Sequence, residues 1–212
     1  MTPIRITYLA AADVTAAFLA APAVTAAWEE PSALADMSVG ALAAHLARQI
    51  FNVERVLAEP PTTQDPISVL EHYARVQWIG AAHDDQPNVV VRETSAGRAA
   101  AGPATLAADV SAAVGRLRPA LAAEPDDRVV PVPWGSAPLT LDDLLVTRLL
   151  EITVHSDDLA ASLGQPLPPL PAEAIDITVT LLARLAVRRH GAEAVLRALS
   201  RSERAPASIA AL

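Results

Sequence analysis

Four ionisable side chains, Arg148, Glu151, His155 and Asp158, are separated by three, four and three residues. Those offsets return to one face of an α-helix, on which Glu151 and His155 stand about 40° apart. Leu141, Leu144, Ile152 and Leu159 share that face, so the ionisable groups sit in a stripe that should be buried. Burying charge is costly unless the group is paired, hydrogen-bonded or bound to a metal. A Glu and a His one turn apart can both reach a single divalent ion, and a metal is the sharpest candidate.

His45 lies beside Leu42, Gln49 and Val56 at the margin of another apolar stripe. Alone it reads as a satisfied core or rim histidine; with Glu151 and His155 it supplies His₂Glu, a set that leaves zinc an open position for water or substrate. Arg148 can pair with a carboxylate on a substrate or cofactor, and Asp158 can orient a ligand as its hydrogen-bond acceptor. The competing reading is an intrahelical ion-pair network of Arg148, Glu151 and Asp158. Trp134 can line a cofactor pocket or serve as a packing anchor. His72, His83 and His190 read as surface or rim residues, Tyr73 and Trp78 as core.

The chain has 212 residues, room for one domain or one with a small appendage. It is 52% hydrophobic and only 3% aromatic, with a net charge of −8, so it reads as a helical protein with no basic stripe for nucleic acid. Without cysteine it has neither disulfides nor thiolate ligands, and thiol chemistry would need a thiol from outside. The apolar start is interrupted by Arg5 and Asp13, and no run suits a membrane span; the expectation is a soluble cytoplasmic protein, monomer or homodimer.

Periodicity and punctuation predict helices over residues 8–28, from Asp36 or Ser38 to the Pro60–Pro61 stop, over 66–82, from Pro103 through Leu121, and from a Thr140 cap to Gly164. Residues 83–102 read as a loop with short helical turns, and any strand should fall within 128–134. A stiff connector over 166–171 leads to closing helices over 172–190 and 192–204. The expected division is a helical, metal-binding bundle over 1–165 and a short C-terminal helical extension over 166–212.

Two blocks carry a family resemblance: WEEPSALADMSVGALAAHLA at residues 28–47 and LTLDDLLVTRLLEITVHSDDLA at 139–160. They resemble the two ligand-bearing helices of the mycothiol-dependent maleylpyruvate isomerase family, in the DinB-like superfamily, with similarity of pattern over roughly residues 8–205. The resemblance implies an all-α, DinB-like four-helix bundle with additional C-terminal helices. It implies a divalent metal, commonly zinc, on His45, Glu151 and His155, which activates the thiol of mycothiol or a similar low-molecular-weight cofactor. The expected function is S-transfer to, or thiol-assisted isomerisation of, a small electrophile, with Arg148 and Asp158 in catalytic roles and Arg148 and Trp134 at the cofactor. A metal-dependent hydrolase without a thiol, a non-catalytic metal- or small-molecule-binding module, and a scaffold that has lost its metal stand as alternatives.

Overall fold

The computed structural model describes residues 1–76, 84–135 and 137–212, with Pro87 as backbone alone. Helix α1 (Pro3–Leu19) starts on a Thr2 cap, α3 (Val39–Ala58) on Ser38, and α7 (Leu141–Ser162) on Thr140; each hydroxyl accepts from a backbone N–H of the first turn. Ser38 is the cap that α3 uses, while Asp36 occupies a left-handed turn at φ 58°. At the other end of α7, Gly164 at φ 62° lets Gln165 N–H reach Ala160 O and Gly164 N–H reach Ala161 O, closing the helix as its sequence predicts.

Helices α1, α3, α6 (Pro103–Ala123) and α7 form the four-helix bundle. Each of α1 and α3 packs against both α6 and α7, so α3 and α7, the expected ligand helices, are neighbours. Their buried faces supply Tyr8, Leu42, Leu46, Ile50, Leu117, Leu121, Leu144 and Leu145 to a continuous core. Helices α8 (Ala172–His190) and α9 (Ala192–Ser200) follow, α8 packing on α7 and α9 on α8. With α4 (Val69–Arg75) they bury a smaller cluster of Tyr73, Leu150, Leu181, Leu185 and Val195. The all-α expectation holds, and no helix among the described residues is long and apolar enough to cross a membrane.

Two buried devices fix where the bundle helices sit. Arg5, fully buried on α1, donates to Asp142 at 3.0 Å and to the carbonyls of Leu121, Glu124 and Pro125, tying α1 to the end of α6 and the start of α7. The sequence marks this residue only as an interruption of an apolar run. At the start of α3, Gly40 donates its N–H to Trp28 O, and a β-carbon on Gly40 would lie 2.6 Å from the Trp28 ring. Glycine at position 40 thus lets α3 enter the bundle against the indole.

Several expectations are corrected. The helix foreseen over 8–28 is two, α1 and α2 (Pro22–Ala26), because Pro22 drives Ala21 into an extended conformation. The helix foreseen from residue 66 starts at Val69, on a Ser68–Glu71 capping box, and α4 ends at Arg75; the rest of that range, with Trp78, lies from residue 77 outside the described residues, as does His83. The stretch read as a loop contains α5 (Gln86–Ala99), which packs on α3. Its buried positions include the small Ser95 and Ala99, which leave little apolar periodicity to read. Strand β1 (Val129–Val130) falls where expected, but its antiparallel partner β2 (Leu139–Thr140) does not, since a strand needs a second edge for its hydrogen bonds. Helix α9 stops at Ser200, with residues 202–204 in a separate 3₁₀ turn.

Candidate metal centre

His45 projects from the second turn of α3, and Glu151 and His155 stand one turn apart on α7. Because the two helices pack side by side, a separation of 110 residues becomes 3.1 Å between His45 Nε2 and His155 Nε2. Glu151 Oε2 lies 3.2 Å from the same His155 nitrogen. One ligand atom from each of the three residues lies within 4.8 Å of the others, a cluster that could hold a metal ion. The side chains of His155 and Glu151 are only 16% and 13% exposed, so the donors converge where water competes poorly.

Asp158, the fourth residue of the face, does not join the cluster. Its Oδ2 accepts from His155 Nδ1 at 3.0 Å, which fixes the ring and turns Nε2 toward His45 and Glu151. Arg148 reaches across to α3 instead of along α7. Its NH1 donates to Gln49 Oε1 at 2.5 Å and its Nε to Thr147 Oγ1 at 3.1 Å. The intrahelical network of Arg148, Glu151 and Asp158 is therefore replaced by one pair between helices and one within α7. Trp134 lies beside Arg148, with the guanidinium carbon 5.4 Å from the ring centroid, and is also partly buried against the core.

The electrostatics follow from this packing. Burial, then the charge of His155, lowers the His45 pKa to about 3. Burial opposes a charge on His155 too, but hydrogen bonds to Asp158 and Glu151 and the charges of both carboxylates overcome it and raise that pKa to about 9. Burial would raise Glu151, yet the His155 hydrogen bond and the Arg148 charge bring it down to about 2. The side chains alone thus hold one proton on His155, placed between two carboxylates, with His45 neutral. A divalent cation suits the same donors, since it replaces that proton and takes both imidazole lone pairs. The Nδ1 of His45 is buried with no hydrogen-bond partner among the described residues.

The family model of the mycothiol maleylpyruvate isomerase N-terminal domain matches residues 8–160. The chain belongs to this family. The match takes in α3 and α7, with all four ionisable residues of the α7 face, and ends before α8. Its all-α bundle is the DinB-like fold that the resemblance implied. No curated protein and no solved structure matches the chain.

Three residues near the cluster were not singled out from sequence. Gln49 is buried one turn beyond His45, where its Nε2 donates to the His45 carbonyl at 3.0 Å. Arg48 is half-buried, and burial, then the charge of Arg148, lowers its pKa. His72, expected at the surface or rim, is only 3% exposed and stands edge-on to Tyr73, itself in the core as expected. Burial, then the charge of Arg148, lowers the His72 pKa to about 4. A signal for Gln49 and Arg48 existed in their spacing of four and three from His45; for His72 there was none, because α4 is short and its partner α7 is distant in sequence. His190 is exposed, as expected.

Proposed function

We propose that the chain is a metal-dependent enzyme that activates a low-molecular-weight thiol of the mycothiol type, for S-transfer to a small electrophile or its thiol-assisted isomerisation. The observation that carries this reading is the convergence of His45, Glu151 and His155 within 4.8 Å, in a family described by mycothiol maleylpyruvate isomerase. These residues would hold one divalent ion, zinc by default for a His₂Glu set. When bound, the ion supplies Lewis acidity that lowers the pKa of a coordinated thiol or water.

The rest of the chemistry belongs to the chain. Asp158 holds the His155 ring in the orientation that directs Nε2 inward. Arg148 presents a cation one turn before Glu151, where it can pair with an anionic group of the substrate or cofactor, and Trp134 forms an aromatic wall beside it. The cysteine-free chain must take its thiol from solution.

Metal analysis of the purified protein, followed by turnover of electrophiles with mycothiol, with a simple thiol and with none, tests this reading. Turnover of the electrophile that depends on both metal and thiol is expected, with the thiol consumed in S-transfer and regenerated in isomerisation. Full activity without any thiol would favour metal-assisted hydrolysis, and bound metal with no turnover would favour a binding module.

A further inference from the structure

The two buried arginines of the described chain are treated very differently by their surroundings. Arg5 is paired with a carboxylate and three carbonyls, so four hydrogen bonds share its guanidinium. Arg148, 6% exposed, has only two neutral oxygens, Thr147 Oγ1 and Gln49 Oε1, among the described residues. A guanidinium carries five N–H donors, and the remaining three of Arg148 have no acceptor there. Trp134 Nε1, on the ring beside that guanidinium, is a buried donor with no acceptor among the described residues. Buried donors are normally satisfied, so among the described residues this corner of the site is short of oxygen acceptors. Although the guanidinium charge is felt by Glu151 one turn along α7, no carboxylate among the described residues is hydrogen-bonded to it.

Gln49 sets that condition. Its Nε2 is anchored to the His45 carbonyl and its Oε1 receives Arg148 NH1. The amide therefore cannot rotate without losing one bond, and it fixes the guanidinium relative to the helix turn that carries His45. A glutamate would make the same reach but cancel the charge. The glutamine directs the cation and leaves its charge intact.

We propose that Gln49 is a positioning and specificity-determining residue, which aims Arg148 at an anionic oxygen group, carboxylate in class, on the molecule bound next to the His45–Glu151–His155 cluster. This deepens the thiol-enzyme reading and rests on it only in taking that cluster as the neighbouring metal centre. Charged donors facing a carboxylate form stronger hydrogen bonds than neutral ones and favour a paired geometry, so discrimination against an uncharged analogue should be large.

The test uses the cobalt(II)-loaded protein, whose sulfur-to-metal charge-transfer band reports thiol binding without turnover. The probes are 3-mercaptopropionate and 2-mercaptoethanol, which share a thiol and differ in carboxylate against hydroxyl. Wild type is expected to prefer the mercaptocarboxylate by about tenfold or more, a charge-assisted hydrogen bond's worth of selectivity. In Gln49→Glu that ratio falls toward unity, while the affinity for 2-mercaptoethanol changes far less. Gln49→Met, which removes the anchor without adding charge, gives an intermediate ratio, and Arg148→Met sets the floor; circular dichroism verifies that each variant is folded. A wild-type ratio near unity, or an unchanged ratio in both Gln49 variants, overturns the inference. Absence of a sulfur band with either thiol instead sinks the thiol reading. In that event, propionate binding followed by tryptophan fluorescence still decides: a response in wild type that Gln49→Glu abolishes upholds the anion site, and no response in wild type rejects it.

Discussion

The Nε2 atoms of His45 and His155 face each other across 3.1 Å, although 110 residues separate them in the chain. Two neutral imidazoles can share that distance only by placing one proton, or one cation, between their lone pairs. With Asp158 holding the Nδ1 proton of His155 and Glu151 Oε2 at 3.2 Å from its Nε2, the added positive charge belongs at His155.

Metal binding should therefore displace a proton. The metal-free protein holds His155 charged up to about pH 9, whereas His45 is already neutral above about pH 3. Zinc affinity is expected to rise close to tenfold per pH unit through the neutral range and level off near pH 9, with about one proton released per ion at pH 7. Calorimetry in buffers of different ionisation enthalpy reads that proton count. Affinity independent of pH between 6.5 and 8.5 would contradict it.

Asp158→Asn preserves the side-chain size but weakens the acceptor that orients His155. Metal affinity should drop about 10–100-fold, as for other partners of ligating histidines. Removing Arg148, whose hydrogen bonds among the described residues go to Thr147 and Gln49 and not to either imidazole, should leave the metal in place. Equal losses of metal in Asp158→Asn and Arg148→Met would argue that both are merely structural.

His72 is buried neutral, its pKa lowered to about 4 from an ordinary value of 6.5. The unfolded chain therefore takes up this proton first as the solution is acidified. The contribution of His72 to stability is fully present above about pH 6.5 and is lost as pH falls toward 4. Urea denaturation of metal-free His72→Phe should show a shallower fall in stability across that window than wild type; parallel curves would mean that His72 is solvated.

Gly40→Ala places a β-carbon 2.6 Å from the Trp28 ring. The indole or the start of α3 must shift, with a destabilisation of about 1–3 kcal/mol, seen as a lower melting temperature. If the thermal transition is unchanged, Trp28 has room that the packing here denies it.

Arg5→Met keeps the aliphatic stem but strands Asp142 and three carbonyls. The expected loss is about 3 kcal/mol or more, from breaking a buried charged pair. A loss below about 1 kcal/mol, typical of exposed pairs, would show that Arg5 is not the staple of the three helices.

The sequence by itself determined the helical periodicity, the cap at Thr140 and the stop at Gly164, and narrowed the α3 cap to Asp36 or Ser38, because these depend on neighbours within one or two turns. It placed Arg148, Glu151, His155 and Asp158 on one helical face by spacing alone, and through its two signature blocks it pointed to the family and to His45. Only the tertiary structure decided that His45 meets His155, that Arg148 turns to Gln49 instead of Asp158, and that Arg5 and His72 are buried. It also made a helix of residues 86–99, whose small buried side chains carry little periodic signal, by packing them on α3. The physical reason is range: a local pattern fixes which face a side chain occupies, whereas its partner and its charge state depend on the helix that packs against that face.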